Sequence, residues 1–131
     1  MHAHENTHAT HFLKHIKAVC HLLSSDPLTL DELRAKLSEM GLDARAEAAP
    51  GSNAPGLVRM PLPSGVQLTL DDLAVEFGAY KGVPAMHRHR PLKYVFMVDD
   101  PELPYVCGLV AEKPRGEDHV STVTLRRDIR L

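Results

Sequence analysis

His4, His8, His11 and His15 recur at intervals of four, three and four residues. On one continuous helix this spacing stacks the imidazoles in a single stripe, where ring nitrogens from adjacent turns can grip Zn²⁺, Ni²⁺ or Cu²⁺ at ~2.0–2.1 Å. The stripe exists only if the helix begins before His4. Thr7 and Thr10 both have N-cap chemistry, and a start at Thr10 leaves His4 and His8 in a polar tail. The expectation is a chain with no resident cofactor, in which these histidines form a polar flank that holds Zn or Ni adventitiously.

A second cluster is Met86-His87-Arg88-His89-Arg90-Pro91, in a segment punctuated by Gly82 and Pro84. Together with Lys81 and Lys93, the residues His87, Arg88, His89 and Arg90 make a local cationic patch suited to a carboxylate or phosphate on a ligand or partner protein. The competing reading is a solvated connection whose charges pair with Asp99, Asp100 or Glu102. Catalysis would need His87 or His89 as general base and Asp99 or Glu102 to orient it, with His119 a weaker participant. Residue type alone supports that. The chain has no G-x-S-x-G elbow, no H-E-x-x-H, no cysteine pair at zinc spacing and no glycine-rich phosphate loop.

Cys20 and Cys107 stand in apolar contexts far apart in sequence and read as reduced, buried core thiols.

The elements that must position these groups follow from periodicity. Phe12, Ile16, Val19, Cys20 and Leu23 form one apolar stripe on a helix over about Thr10 to Ser24. Thr29-Leu30-Asp31-Glu32 reads as a capping box, with Leu28 and Leu33 as its hydrophobic staple, and Gly41 stops the helix that begins there. Residues 42 to 56, rich in Ala, Pro and Gly, read as a mobile loop. Leu57 to Met60 and Val66 to Leu68 suggest a hairpin with a proline-bearing turn. Leu68-Thr69-Leu70-Asp71-Asp72-Leu73 echoes Leu28 to Leu33. Similar cap chemistry explains this better than duplication, and a third helix then runs to about Tyr80.

From Leu92 onward the pattern turns to strands: Lys93 to Val98, Pro104 to Ala111 and Val120 to Arg126 form an antiparallel meander. The first two read as central, and the Thr and Ser alternation of the third reads as half-buried or edge. Arg126 to Leu131 either continues that strand or docks on a neighbour. The fold class is α+β, two-layered, with a helical hairpin and a third helix on one face of a three- to five-stranded antiparallel sheet. Residues 1–131 form one domain, with 1–9 a possible tail.

Composition narrows the function. Fifteen Lys and Arg against 17 Asp and Glu give a net charge of −2, and no third of the chain departs far from neutral, so no electrostatic footprint for nucleic acid stands out. A winged-helix reading would take Leu42 to Ala49 as its recognition segment, where Arg45 stands among Asp43, Glu47 and alanines. No run is apolar for the 18 or so residues that span a bilayer, and the His- and Thr-rich start does not resemble a secretory signal, so a cytoplasmic location is expected. The expected function is a small non-enzymatic binding protein of inhibitor, immunity, adaptor or chaperone type. Its partner is expected to be another protein, recognised through the sheet face or polar loops, and a homodimer fits the same composition. The alternatives are a winged-helix-like nucleic-acid binder and a small hydrolase or metal enzyme using its histidines.

Overall fold

The computed structural model describes the backbone of residues 3–25, 29–52, 54–84 and 89–129, with side chains from His8 onward and excepting Ile129. Helix α1 spans Ala3–Ser24, α2 Leu30–Glu39 and α3 Leu70–Phe77, and the strands are β1 Arg45–Ala48, β2 Pro55–Pro61, β3 Tyr80–Gly82, β4 Leu92–Val98, β5 Tyr105–Lys113 and β6 Thr122–Ile129. All strand pairs are antiparallel, in one six-stranded sheet of order β1-β2-β6-β5-β4-β3. The helices contact one face: α1 lies on β5, β6 and β2, α2 on β1, and α3 on β4. The two-layer α+β class is therefore what the patterning predicts, with a wider sheet.

Helix α1 forms because its apolar residues repeat at helical spacing, and that stripe is what it buries. Phe12, Ile16, Val19, Cys20 and Leu23 meet Val58 and Met60 of β2, Leu109 and Ala111 of β5, and Val123 and Leu125 of β6 in one core. Each large aliphatic side chain withdrawn from water here contributes about 1.5–3 kcal/mol. The start of α2 is only half of the expected box. Thr29 Oγ1 accepts the Glu32 amide at 3.2 Å, but the Glu32 carboxylate accepts a hydrogen bond from the Thr29 hydroxyl, at 3.0 Å, and not from the backbone amide. The reciprocal box is complete at α3, between Thr69 and Asp72. Leu28, the proposed staple, lies outside the described residues. Gly41 ends α2 as expected: at φ +70° it lets its own amide reach Ser38 O while the Leu42 amide reaches Leu37 O.

Four features differ from the expected pattern. Within residues 42–56, Arg45–Ala48 form a strand paired with β2, so this segment is partly ordered by its neighbour. Leu57–Met60 belongs to β2, whose partners are β1 and β6, while 66–68 forms no strand. The third helix stops at Phe77 and Tyr80 opens edge strand β3, where its ring packs on Tyr94 and Phe96. Strand β6 is not an edge: it lies between β2 and β5, and its Thr alternation marks a face, not a border. Among the described residues, no helix is long and apolar enough to cross a membrane.

Candidate functional site

Side chains alternate across a strand, so registers assign each residue to a face. Phe96, Leu109, Leu125 and Val58 are fully buried against the helices. Their neighbours in sequence therefore point to the side that carries no helix: Lys93, Val95 and Met97 on β4, Val106, Gly108, Val110 and Glu112 on β5, Thr122, Thr124, Arg126 and Asp128 on β6, Leu57 and Arg59 on β2, Arg45 and Glu47 on β1, and Lys81 on β3.

This face has an apolar middle and a charged surround. Val95 pairs with Val110 and Met97 with Gly108, and Met97 is 54% exposed. Around them Arg45, Arg59, Arg126, Lys81 and Lys93 outnumber Glu47, Glu112 and Asp128. Two of the acids lie near a cation: Arg59 Nη2 is 3.6 Å from Glu112 Oε2 and Arg126 Nη2 is 4.0 Å from Asp128 Oδ1. Exposed pairs of this kind contribute about 0–1 kcal/mol, so the fold gains little from the arrangement. The Asp128 carboxylate leans over Gly108 and fills the space a side chain would take: an added Cβ would stand 2.6 Å from its Oδ2.

The predicted residues divide among several places. Lys81 and Lys93 are exposed on the helix-free face and belong to one patch. His89 and Arg90 are exposed in the turn before β4, where the Arg90 carbonyl accepts Arg115 Nε at 3.2 Å. His87 and Arg88 lie outside the described residues. The acids proposed to orient a histidine base, Asp99 and Glu102, lie in the β4–β5 turn, where Asp100 Oδ1 accepts the Glu102 amide at 3.0 Å. His119 pairs with Glu117 at 2.9 Å. Arg45, Arg59 and Arg126 were missed by sequence reading. Their signal was an alternation out of phase with Ala46, Val58 and Leu125, readable only once the three strands are known to share a sheet.

Helix α1 begins at Ala3, so His4, His8, His11 and His15 do share one helix. The side chain of His4 is outside the described residues. His8 and His11 are exposed, while His15 is half-buried with Nδ1 enclosed and without a hydrogen-bond partner. Among the described residues, no three His, Cys, Asp or Glu side chains converge as ligands for one metal ion.

Cavities flank the helices, and two of them also reach the sheet or its turns. One, of about 460 Å³, lies between α2 and β1 against Arg34, Leu42 and Glu47, and there Arg34 Nη2 donates to Ala46 O at 3.2 Å. The other, of about 430 Å³, opens between α1, α3 and the β4–β5 turn against Lys17, Cys20, His21, Glu76 and Asp99. The Lys17 ammonium and the Glu76 carboxylate form an ion pair at its border. No protein-family model, curated protein or solved structure matches the chain.

Proposed function

We propose that this chain is a non-enzymatic binding protein that recognises another protein through the helix-free face of its sheet. One observation carries the reading: all three helices lie on one side, and the other presents Val95, Met97 and Val110 within a ring of Arg and Lys. An apolar centre with a polar rim is the anatomy of a protein interface. The excess of cations favours a partner whose contact surface is acidic around an apolar patch.

Chemistry on the face argues against nucleic acid. Single strands are held on open sheets by aromatic side chains that stack on bases. Here Tyr80, Tyr94, Phe96 and Tyr105 all belong to the helix side of the sheet, and Phe12 and Phe77 to helices. The segment that a winged-helix protein would use for recognition contains strand β1. An acidic, apolar protein surface suits what remains.

The test compares three forms of the full chain as bait in its source cell: the native sequence, Met97→Asp with Arg126→Glu on the open face, and Lys36→Glu on α2 as a control. The expected result is a protein retained by the native chain and the control and lost from the face variant, with all three equally folded by circular dichroism. A partner retained by the face variant, or lost equally from the control, would refute recognition through this face.

A further inference from the structure

The two cysteines are 87 positions apart in sequence, yet their Sγ atoms lie 2.7 Å apart. Cys20 comes from α1 and Cys107 from β5, so the pair bridges the two layers. Both thiols are free, and the Cys107 S–H donates to the sulfur of Cys20. A disulfide needs ~2.05 Å between sulfurs, so closing the bond asks for less than about 1 Å of movement.

Access distinguishes the partners. Cys107 is fully buried, whereas Cys20, 3% exposed, forms part of the wall of the cavity of about 430 Å³ between α1, α3 and the β4–β5 turn. Cys20 lines this cavity and Cys107 does not, so a small solute that enters it comes to Cys20 first. Hydrogen bonding to Cys20, then burial, then the nearby charges of Cys20 and Asp128 hold the Cys107 thiol well above the usual thiol range. Cys107 is thereby held as the protonated thiol, so the first attack on an oxidant falls to Cys20.

We infer that Cys20 and Cys107 form a hydroperoxide-reactive pair, in which Cys20 is oxidised from the cavity and Cys107 resolves it to an intramolecular disulfide. The Cys20 sulfur, after losing its proton to solvent, attacks one oxygen of the hydroperoxide. The O–O bond breaks, the departing oxygen leaves with a proton as water or alcohol, and Cys20 becomes a sulfenic acid. The Cys107 sulfur then attacks the Cys20 sulfur. The Cys20 hydroxyl leaves with the Cys107 proton as a second water, and the S–S bond forms. Two thiols lose two electrons and the peroxide gains them, with no metal or further co-reactant. The bond pins α1 to β5 and closes most of the chain into one loop. Burial makes the reaction slower than at an exposed low-pKa thiol, so the pair answers sustained rather than momentary oxidation.

The experiment treats the folded full chain with hydrogen peroxide and follows intact mass, non-reducing electrophoresis and peptide mapping. The native chain is expected to lose two hydrogens, migrate faster as a monomer and yield a Cys20–Cys107 linked peptide that dithiothreitol separates. Its melting temperature should rise by roughly 10 °C or more. Cys107→Ser should stop at a sulfenic acid that dimedone labels on Cys20, and Cys20→Ser should leave Cys107 unlabelled. A native chain that keeps both thiols under peroxide, or that links only between molecules, overturns the inference. Dimedone labelling of Cys107 in Cys20→Ser would overturn the assignment of Cys20 as the reacting sulfur. The native-chain result stands by itself should either variant fail to fold.

Discussion

Arg127 is the side chain whose removal should cost the fold most for the least change in apolar area. It leaves β6 on the helix side of the sheet and closes the end of α1: Nε donates to Leu23 O at 2.6 Å and Nη2 to Ser25 O at 2.9 Å. Its guanidinium also lies over the Tyr105 ring, 4.3 Å from the centroid. Carbonyls in the last turn of a helix have no partner within it and carry its negative dipole end, so a cation with two donors suits this position. Hydrogen bonds from charged donors contribute about 1.5–3 kcal/mol each, here near the low end because the group is only partly buried. The dipole adds about 0.3–1 kcal/mol and the ring contact about 0.5–1 kcal/mol. The dipole's charge resides on the same carbonyls that accept the hydrogen bonds, so the two contributions overlap and Arg127→Ala should lose about 3–4 kcal/mol. Arg127→Lys keeps the charge but not the planar fork, and should lose roughly half as much. Urea unfolding followed at 222 nm measures both: at an m-value of roughly 1.5–2 kcal/mol/M, the midpoint should fall by about 2 M for Ala and 1 M for Lys. High salt should weaken only the dipole contribution. A loss below about 1 kcal/mol for Ala, or a lysine equivalent to arginine, would show that β6 does not hold the end of α1 in this way.

Three further substitutions probe packing. Gly56→Ala brings a Cβ to 2.8 Å from Ala49 N and 3.0 Å from Ala49 Cα, both backbone atoms that cannot rotate aside. It should cost about 1–3 kcal/mol by thermal unfolding, whereas Gly82→Ala, which meets only the Tyr94 ring at 3.7 and 3.8 Å, should stay within roughly 0.5 kcal/mol. His15→Leu replaces a ring whose Nδ1 is enclosed and unpartnered, and should raise stability by about 1 kcal/mol in urea. A loss instead would mean that the imidazole makes a compensating interaction, such as a bound water.

The parts of the fold that were legible in the sequence are those whose stability is local. Helix α1 can be read because Phe12, Ile16, Val19, Cys20 and Leu23 already define a face before any partner exists. The meander can be read because β4, β5 and β6 follow one another across turns. Strands β1, β2 and β3 were hidden for physical reasons. Strand β1 buries only Ala46 and owes its conformation to pairing with β2 and to the Arg34 hydrogen bond from α2. Strand β2 is bracketed by prolines, and its register with β6 joins Leu57 to Arg126, a pairing that no local pattern announces. Strand β3 has three exposed residues and is fixed by the Tyr80 ring, which packs edge-on against Tyr94 and tilted against Phe96. The candidate face was correspondingly half visible: Lys81 and Lys93 were found as charges near a loop, but Arg45, Arg59 and Arg126 join them only through those non-local registers.

Strand β5 ties the two proposals together and also keeps them separable. Its odd-numbered residues, Cys107, Leu109 and Ala111, belong to the helix layer, while Val106, Gly108 and Val110 supply the middle of the open face. A Cys20–Cys107 bond therefore fixes the backbone that carries the proposed interface without altering any side chain on it. Strand pleating puts the two sulfurs and the Val110–Met97 patch on opposite sides of one sheet, although the charge of Asp128 on the open face still acts on the Cys107 thiol. Oxidation should hence act on recognition only by stiffening β5, which favours a partner that needs the face flat and preformed. An interface that must flex to close around its partner would instead bind the reduced form better.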